Sequence, residues 1–152
     1  IDLLSKRIRK SDRKKELLNI SNVFFLKAEA NEFLEALPKN IYLKNIYVMY
    51  PDPWPKKRHA KKRLMGVGFA KWAAHALKSG AEWRIKTDFL PHIEAVLDVI
   101  STEKIPFTVK GRSMDLKNDP PPWGLENDIV TNYQSKFYIK DIPVYALWLQ
   151  RL

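Results

Sequence analysis

The chain has 152 residues, 45% hydrophobic and 29% charged, which suits one folded domain and excludes a chain disordered by composition. It has no cysteine, which excludes disulfides, thiolate metal sites and thiol nucleophiles; with no apolar run of ~18 residues and no secretory signal, no membrane partner and a cytoplasmic setting are expected. The net charge of +10 is local, since residues 6–15 hold seven bases and one acid and residues 56–63 hold six bases and no acid, leaving −2 elsewhere; such patches suit a polyanion.

Residues 3–18 read as a basic, weakly amphipathic helix with a sparse stripe of Leu4, Ile8 and Leu18. A β-rich run at 23–27 predicts a short strand, and 30–37 predicts a brief helix stopped by Pro38. Residues 45–50 are almost continuously apolar, as in a strand buried on both faces, and Pro51 ends it. Phe69, Trp72, Ala73, Ala76 and Leu77 recur at helical spacing, with Gly80 as the expected C-cap. Residues 83–87 read as the next strand. Asp88 is placed to cap a helix over 89–100 that has Pro91 in its first turn. Residues 105–110 and 144–150 read as strands, and 111–128, rich in proline and without periodicity, as a long surface excursion.

This alternation of helix and strand predicts a three-layer α/β domain with a largely parallel sheet. Ligands of such sheets bind beyond the carboxyl ends of the strands. Two of those ends carry distinctive residues: Pro51, Asp52, Pro53, Trp54 and Pro55, and Thr87, Asp88 and Phe89. Three prolines stiffen the first loop, which presents one carboxylate and one indole. That arrangement suits a planar base, and it equally suits a rigid turn with a packed Trp and a capping Asp. The run from Lys56 to Arg63 follows directly. Its bases can neutralise phosphates, or form a solvated face; beside a strand-end carboxylate the nucleic-acid reading is favoured.

The stretch PDPWPKKRHAKKRL, residues 51–64, resembles the signature of the tRNA (guanine-N7-)-methyltransferase family of the bacterial TrmB type. Ile85-Lys86-Thr87-Asp88-Phe89, Thr131-Asn132-Tyr133-Gln134 and Pro143-Val144-Tyr145 match further pieces of the family pattern. The resemblance implies a Rossmann-like S-adenosylmethionine-dependent methyltransferase fold with a mixed, mostly parallel sheet. It also implies methyl transfer from S-adenosylmethionine to N7 of the variable-loop guanine 46 of tRNA. By position, Asp52 matches the family's essential aspartate, where cofactor and base meet. Asp2 matches the acid that holds the ribose hydroxyls, and Glu29 the acid near the adenine. Lys56, Arg58, His59, Lys61, Lys62 and Arg63 match the RNA-contacting run; Asp88, Thr131 and Gln134 match substrate-binding positions. Gln134 stands where the family more often has Glu, and Phe89 where it often has Trp.

The five glycines lie at 66, 68, 80, 111 and 124. The family's first strand and Gly-rich cofactor loop are therefore missing from this chain, and residues 1–152 by themselves are expected to be marginally stable and weakly active. The other class of function open to the sequence is a noncatalytic RNA-binding module built on the same fold. Histidines 59, 75 and 92 show no ligand spacing with nearby acids, so no metal is implied. Monomer and homodimer are both open.

Overall fold

The apolar run around Ile46 and Val48 forms the first strand, β1 (Leu43–Met49), in a computed structural model that describes residues 1–56, 58 and 63–152. The chain divides into two compact units, residues 1–39 and 40–152.

The first unit holds helices α1 (Ser5–Leu17) and α2 (Ala30–Ala36), as their patterns predict. The run at 23–27 makes no strand there. Its single β-bridge joins Lys27 to Asp2, supported by the Asp2 N–H on the Leu26 carbonyl at 3.0 Å. β propensity alone does not hold a strand that lacks a paired neighbour.

The second unit continues with α3 (Val67–Ala76), β2 (Leu77–Thr87), α4 (Leu90–Thr102), β3 (Phe107–Ser113), a 3-10 turn at Leu125–Asn127, α5 (Asn132–Ile139) and β4 (Tyr145–Arg151). The strands form one sheet in the order β1-β2-β4-β3. The sheet is mixed and mostly parallel, as expected: β1, β2 and β3 run the same way, and β4 alone is reversed, inserted antiparallel between β2 and β3. β4 is reversed because the chain leaves β3 and enters β4 at the same end of the sheet, without a crossover.

On one face Trp83, Ile85, Leu147 and Leu149 are fully buried with Phe69, Ala73, Ile93 and Val96 of α3 and α4. Trp83 sits between Phe69 and Phe107, with ring centroids 5.2 Å and 5.6 Å away. The alternate residues of β2, Glu82, Arg84 and Lys86, occupy the opposite face.

That second face corrects the reading of 111–128. The segment is folded onto the protein: Leu116 and Trp123 are buried with Val144 and Ala146, against Tyr50, Phe137, Tyr138 and Trp148. The expected caps also differ. α3 passes directly into β2 at Leu77, and Gly80 lies within the strand at φ 82°, where the register slips between Leu43 and Asn45. Asp88 makes no capping bond to α4. Instead the Thr87 hydroxyl accepts from the Phe89 N–H at 3.1 Å.

Candidate active site

The carboxyl ends of the parallel strands β1 and β2 lie side by side, joined by the Tyr50 N–H donating to the Lys86 carbonyl at 2.8 Å. β1 leaves the sheet through Tyr50 at φ 54°, and Trp54 has φ 41°. Two left-handed residues other than glycine, each just before a proline, mark a loop held in an uncommon backbone by its surroundings. Part of the hold comes from Arg63, whose Nε and one terminal nitrogen donate to the Trp54 carbonyl at 3.3 Å and 3.2 Å. The same guanidinium lies over the Phe89 ring, 5.4 Å from its centroid. Arg63, expected as an RNA contact, thus braces the Pro51–Pro55 loop against the end of β2. Asp52 stands on that loop with an exposed carboxylate, and Lys56 and Arg58 are exposed beyond it. His59, Lys61 and Lys62 lie outside the described residues.

Asp88 is half-buried at the end of β2. It directly follows Thr87, the last residue of β2. Tyr50 is pushed up mainly by burial, although a hydrogen bond from the Thr131 side chain opposes this; its phenol therefore stays protonated. His92 is shifted the other way by burial, with the Arg63 charge adding to the effect, and stays neutral. Its Nδ1 lies 3.1 Å from the Thr87 hydroxyl, within hydrogen-bond distance, and the same hydroxyl accepts from the Phe89 N–H.

Thr131 and Gln134 reach this region from α5. Thr131 caps the helix, its hydroxyl accepting from the Gln134 N–H at 3.1 Å. Gln134 is turned inward and only 2% exposed. Its Oε1 accepts from Lys86 Nζ at 2.8 Å and its Nε2 donates to the Tyr138 hydroxyl at 2.7 Å, which donates in turn to the Leu116 carbonyl at 2.8 Å.

Lys86 is the residue that the sequence reading left without a role. Its ammonium, 1% exposed, forms an ion pair with Asp128 at 2.7 Å and donates to the Ile129 carbonyl at 3.1 Å as well as to Gln134. Three donors meet three acceptors, so the buried cation is fully satisfied. Asp128 also accepts from the Trp123 indole N–H at 2.9 Å. Lys86, Asp128 and Gln134 thereby fix segment 128–134, which carries Thr131, beside the strand ends. Next to this cluster lies a cavity of about 180 Å³ lined by Tyr47, Met49, Arg84 and Trp123. Arg84 closes part of it, paired with Glu82 at 2.7 Å and lying over Trp123 at 5.3 Å. The available signal for the cluster was a lysine alternating with charged residues in an otherwise apolar strand, which calls for buried acceptors.

In the first unit, Asp2 and Glu29 both serve local turns. Asp2 accepts from the Leu4 N–H at 2.8 Å and from Arg7 at 3.1 Å; burial works against ionisation, but these bonds outweigh it and hold the carboxyl below its ordinary range. Glu29 caps α2, accepting from the Glu32 N–H at 3.0 Å. Among the described residues no cluster of His, Asp and Glu is arranged to hold a metal ion, and no helix is long and apolar enough to cross a membrane.

A family model described as "Putative methyltransferase" matches residues 1–147. A tRNA (guanine-N(7)-)-methyltransferase of Erythrobacter litoralis is 36% identical over 106 residues, 68% of this chain and 45% of the relative. One of Mycoplasma pneumoniae is 31% identical over 132 residues, 86% of this chain and 60% of the relative. The chain thus spans about half the length of the curated relatives it matches. An rRNA methylase from Streptococcus thermophilus superposes with a TM-score of 0.61 at 15% identity, over 99% of this chain and 70% of that one. A protein described as "a putative methyltransferase from streptococcus mutans in complex with SAH" superposes with a TM-score of 0.59 at 16% identity, over 99% and 73%. The fold is therefore the Rossmann-like fold of S-adenosylmethionine-dependent methyltransferases, and the chain belongs to the methyltransferase family matched over residues 1–147, alongside relatives named tRNA (guanine-N(7)-)-methyltransferase.

Proposed function

We propose that the protein carrying this chain transfers a methyl group from S-adenosylmethionine to N7 of guanine in tRNA, at guanine 46 of the variable loop. The observation that carries this reading is the exposed Asp52 on a braced, proline-stiffened loop, beyond the ends of two parallel strands that also bear Asp88. N7 of guanine has a free lone pair and no proton, so the site needs no strong general base. What it needs is alignment of N7 with the methyl group and negative charge near a purine that becomes cationic as the bond forms. Asp52 and Asp88 supply that charge, while Lys56 and Arg58 are exposed toward solvent where RNA phosphates can be met.

Of the acids the resemblance implies for the cofactor, Asp2 in the first unit is held ionised with 29% of its side chain exposed, the kind of acceptor ribose hydroxyls call for, and Glu29 caps α2; in the second unit Asp52 is an exposed carboxylate. When bound, S-adenosylmethionine supplies the electrophilic methyl group. The chain's own part is to hold the base, exclude misalignment and stabilise the developing charge.

The experiment is methyl transfer from labelled S-adenosylmethionine to unmodified tRNA, with the product nucleoside identified. Asp52→Ala is expected to lower kcat/KM by roughly 10²–10³-fold, the usual cost of removing one preorganised electrostatic contact. RNA affinity should change little, because no positive charge is lost. A variant of undiminished activity, or a product other than 7-methylguanosine, would overturn the reading. Unchanged tRNA binding by a wild-type protein that transfers no methyl group would favour the noncatalytic RNA-binding module.

A further inference from the structure

Helix α1 is built against the usual rules for a solvated helix. It buries no residue, has no side-chain N-cap and carries no acid in its first turn. Lys6 and Arg7 stand there instead, where the helix dipole favours negative charge. Lys6, Arg9, Lys10, Arg13 and Lys14 fall at spacings of three and four and so share one face, and all five are exposed. The pairs Lys6–Lys10, Arg9–Arg13 and Lys10–Lys14 set like charges one turn apart, which opposes the helix. None of the five forms an ion pair with a described residue, whereas Arg7 is paired with Asp2 and Lys15 lies over Phe24 at 4.9 Å.

We propose that this face of α1 is a second RNA-binding surface, docking on the phosphate backbone of a double-helical arm of the tRNA. The inference rests on the reading that the protein acts on tRNA, and it adds the basic face of α1 to the residues that would meet RNA. Lys6 to Lys14 span about 12 Å of helix axis. A nucleic-acid duplex carries roughly one charge per 1.7 Å of its axis, so five cations over that length meet a polyanion of comparable charge density. Neutralisation by phosphates relieves the repulsion that the free helix bears. A lipid surface fits less well, since a membrane-bound helix needs a continuous apolar face and α1 is polar around most of its circumference.

The test compares two variants of the protein. In one, Lys6, Arg9, Lys10, Arg13 and Lys14 are all changed to Gln. In the other, five exposed lysines elsewhere, Lys78, Lys104, Lys110, Lys136 and Lys140, are changed to Gln. The first set removes like-charge repulsion, so the helix is expected to persist, and circular dichroism checks this. Affinity for an unmodified tRNA transcript is measured across a salt series. The α1 variant should lose about 2–4 units from the slope of log affinity against log salt, and the control should lose less than one. kcat at saturating tRNA should stay unchanged. An α1 slope equal to wild type, or an equal loss in both variants, overturns the inference while leaving the methyltransferase reading intact. Loss of binding to phosphatidylserine vesicles with tRNA binding unchanged overturns it in favour of a membrane. A wild-type protein that neither binds nor methylates tRNA overturns both.

Discussion

Removing the carboxylate of Asp128 tests whether the Lys86 cluster holds segment 128–134 in place. Lys86 and Asp128 side chains are 1% and 9% exposed, so solvent cannot take over the role of the missing partner. Asp128→Ala leaves a buried ammonium with two carbonyl-type acceptors in place of three. It also strips the Trp123 indole N–H of its acceptor. Breaking a buried pair from one side costs about 3–5 kcal/mol. That is a large part of an ordinary domain's 5–15 kcal/mol. Asp128→Asn should cost less, because an amide oxygen can still accept. The double variant Lys86→Met with Asp128→Leu should recover most of the loss, since it removes the stranded charge along with its partner. Urea denaturation of wild type, Lys86→Met, Asp128→Leu and the double variant forms a complete cycle. A loss below about 1 kcal/mol for Asp128→Ala would refute the reasoning, because it would mean that water reaches Lys86.

Arg63→Lys should weaken the brace on the Pro51–Pro55 loop, since an ammonium cannot reproduce the two-pronged contact to the Trp54 carbonyl or the planar stack on Phe89. Steady-state assays are expected to give a kcat/KM lowered about tenfold, with the denaturation midpoint nearly unmoved; a lysine variant of full activity would show that the brace is dispensable. His92 binds its proton less readily in the folded protein than in the unfolded chain, whose value is 6.5. Its contribution to stability is therefore fully present above about pH 6.5 and falls away as the pH drops below that toward the folded pKa. Denaturation midpoints at about pH 5 and pH 8 should differ less in His92→Leu than in wild type, and an equal difference would assign the acid sensitivity elsewhere.

Periodic and continuous apolar patterns carried their information into the fold. The run at 45–50 became β1, but at the edge of the sheet with Tyr47 exposed rather than buried on both faces, and the Phe69, Ala73 and Ala76 spacing became the buried face of α3. What failed depended on partners distant in the chain. Residues 23–27 had strand-like composition but only one bridge. Leu116 and Trp123 stand in a proline-rich segment without period, yet the face of β4 they cover makes them core residues. α5 has no clean apolar stripe at helical spacing, its one buried residue being Gln134, and its start is fixed by the Thr131 cap. Of the site, the Pro51–Pro55 loop and Asp88 were legible because unusual residues stand at strand ends. Lys86 was not, since only three-dimensional packing brings Asp128 and Gln134 to it.

The chain of hydrogen bonds from Lys86 through Gln134 and Tyr138 to the Leu116 carbonyl runs in a single direction, each group receiving a proton contact on one side and giving one on the other. A glutamate at position 134 could still accept from Lys86 but could give nothing to Tyr138, whose hydroxyl would have to turn back and abandon Leu116. It would also set a second negative charge beside Asp128 on one ammonium. Positions 128, 134 and 138 thus act as one unit: Gln134→Glu should cost stability beside Asp128 and cost less in an Asp128→Asn background.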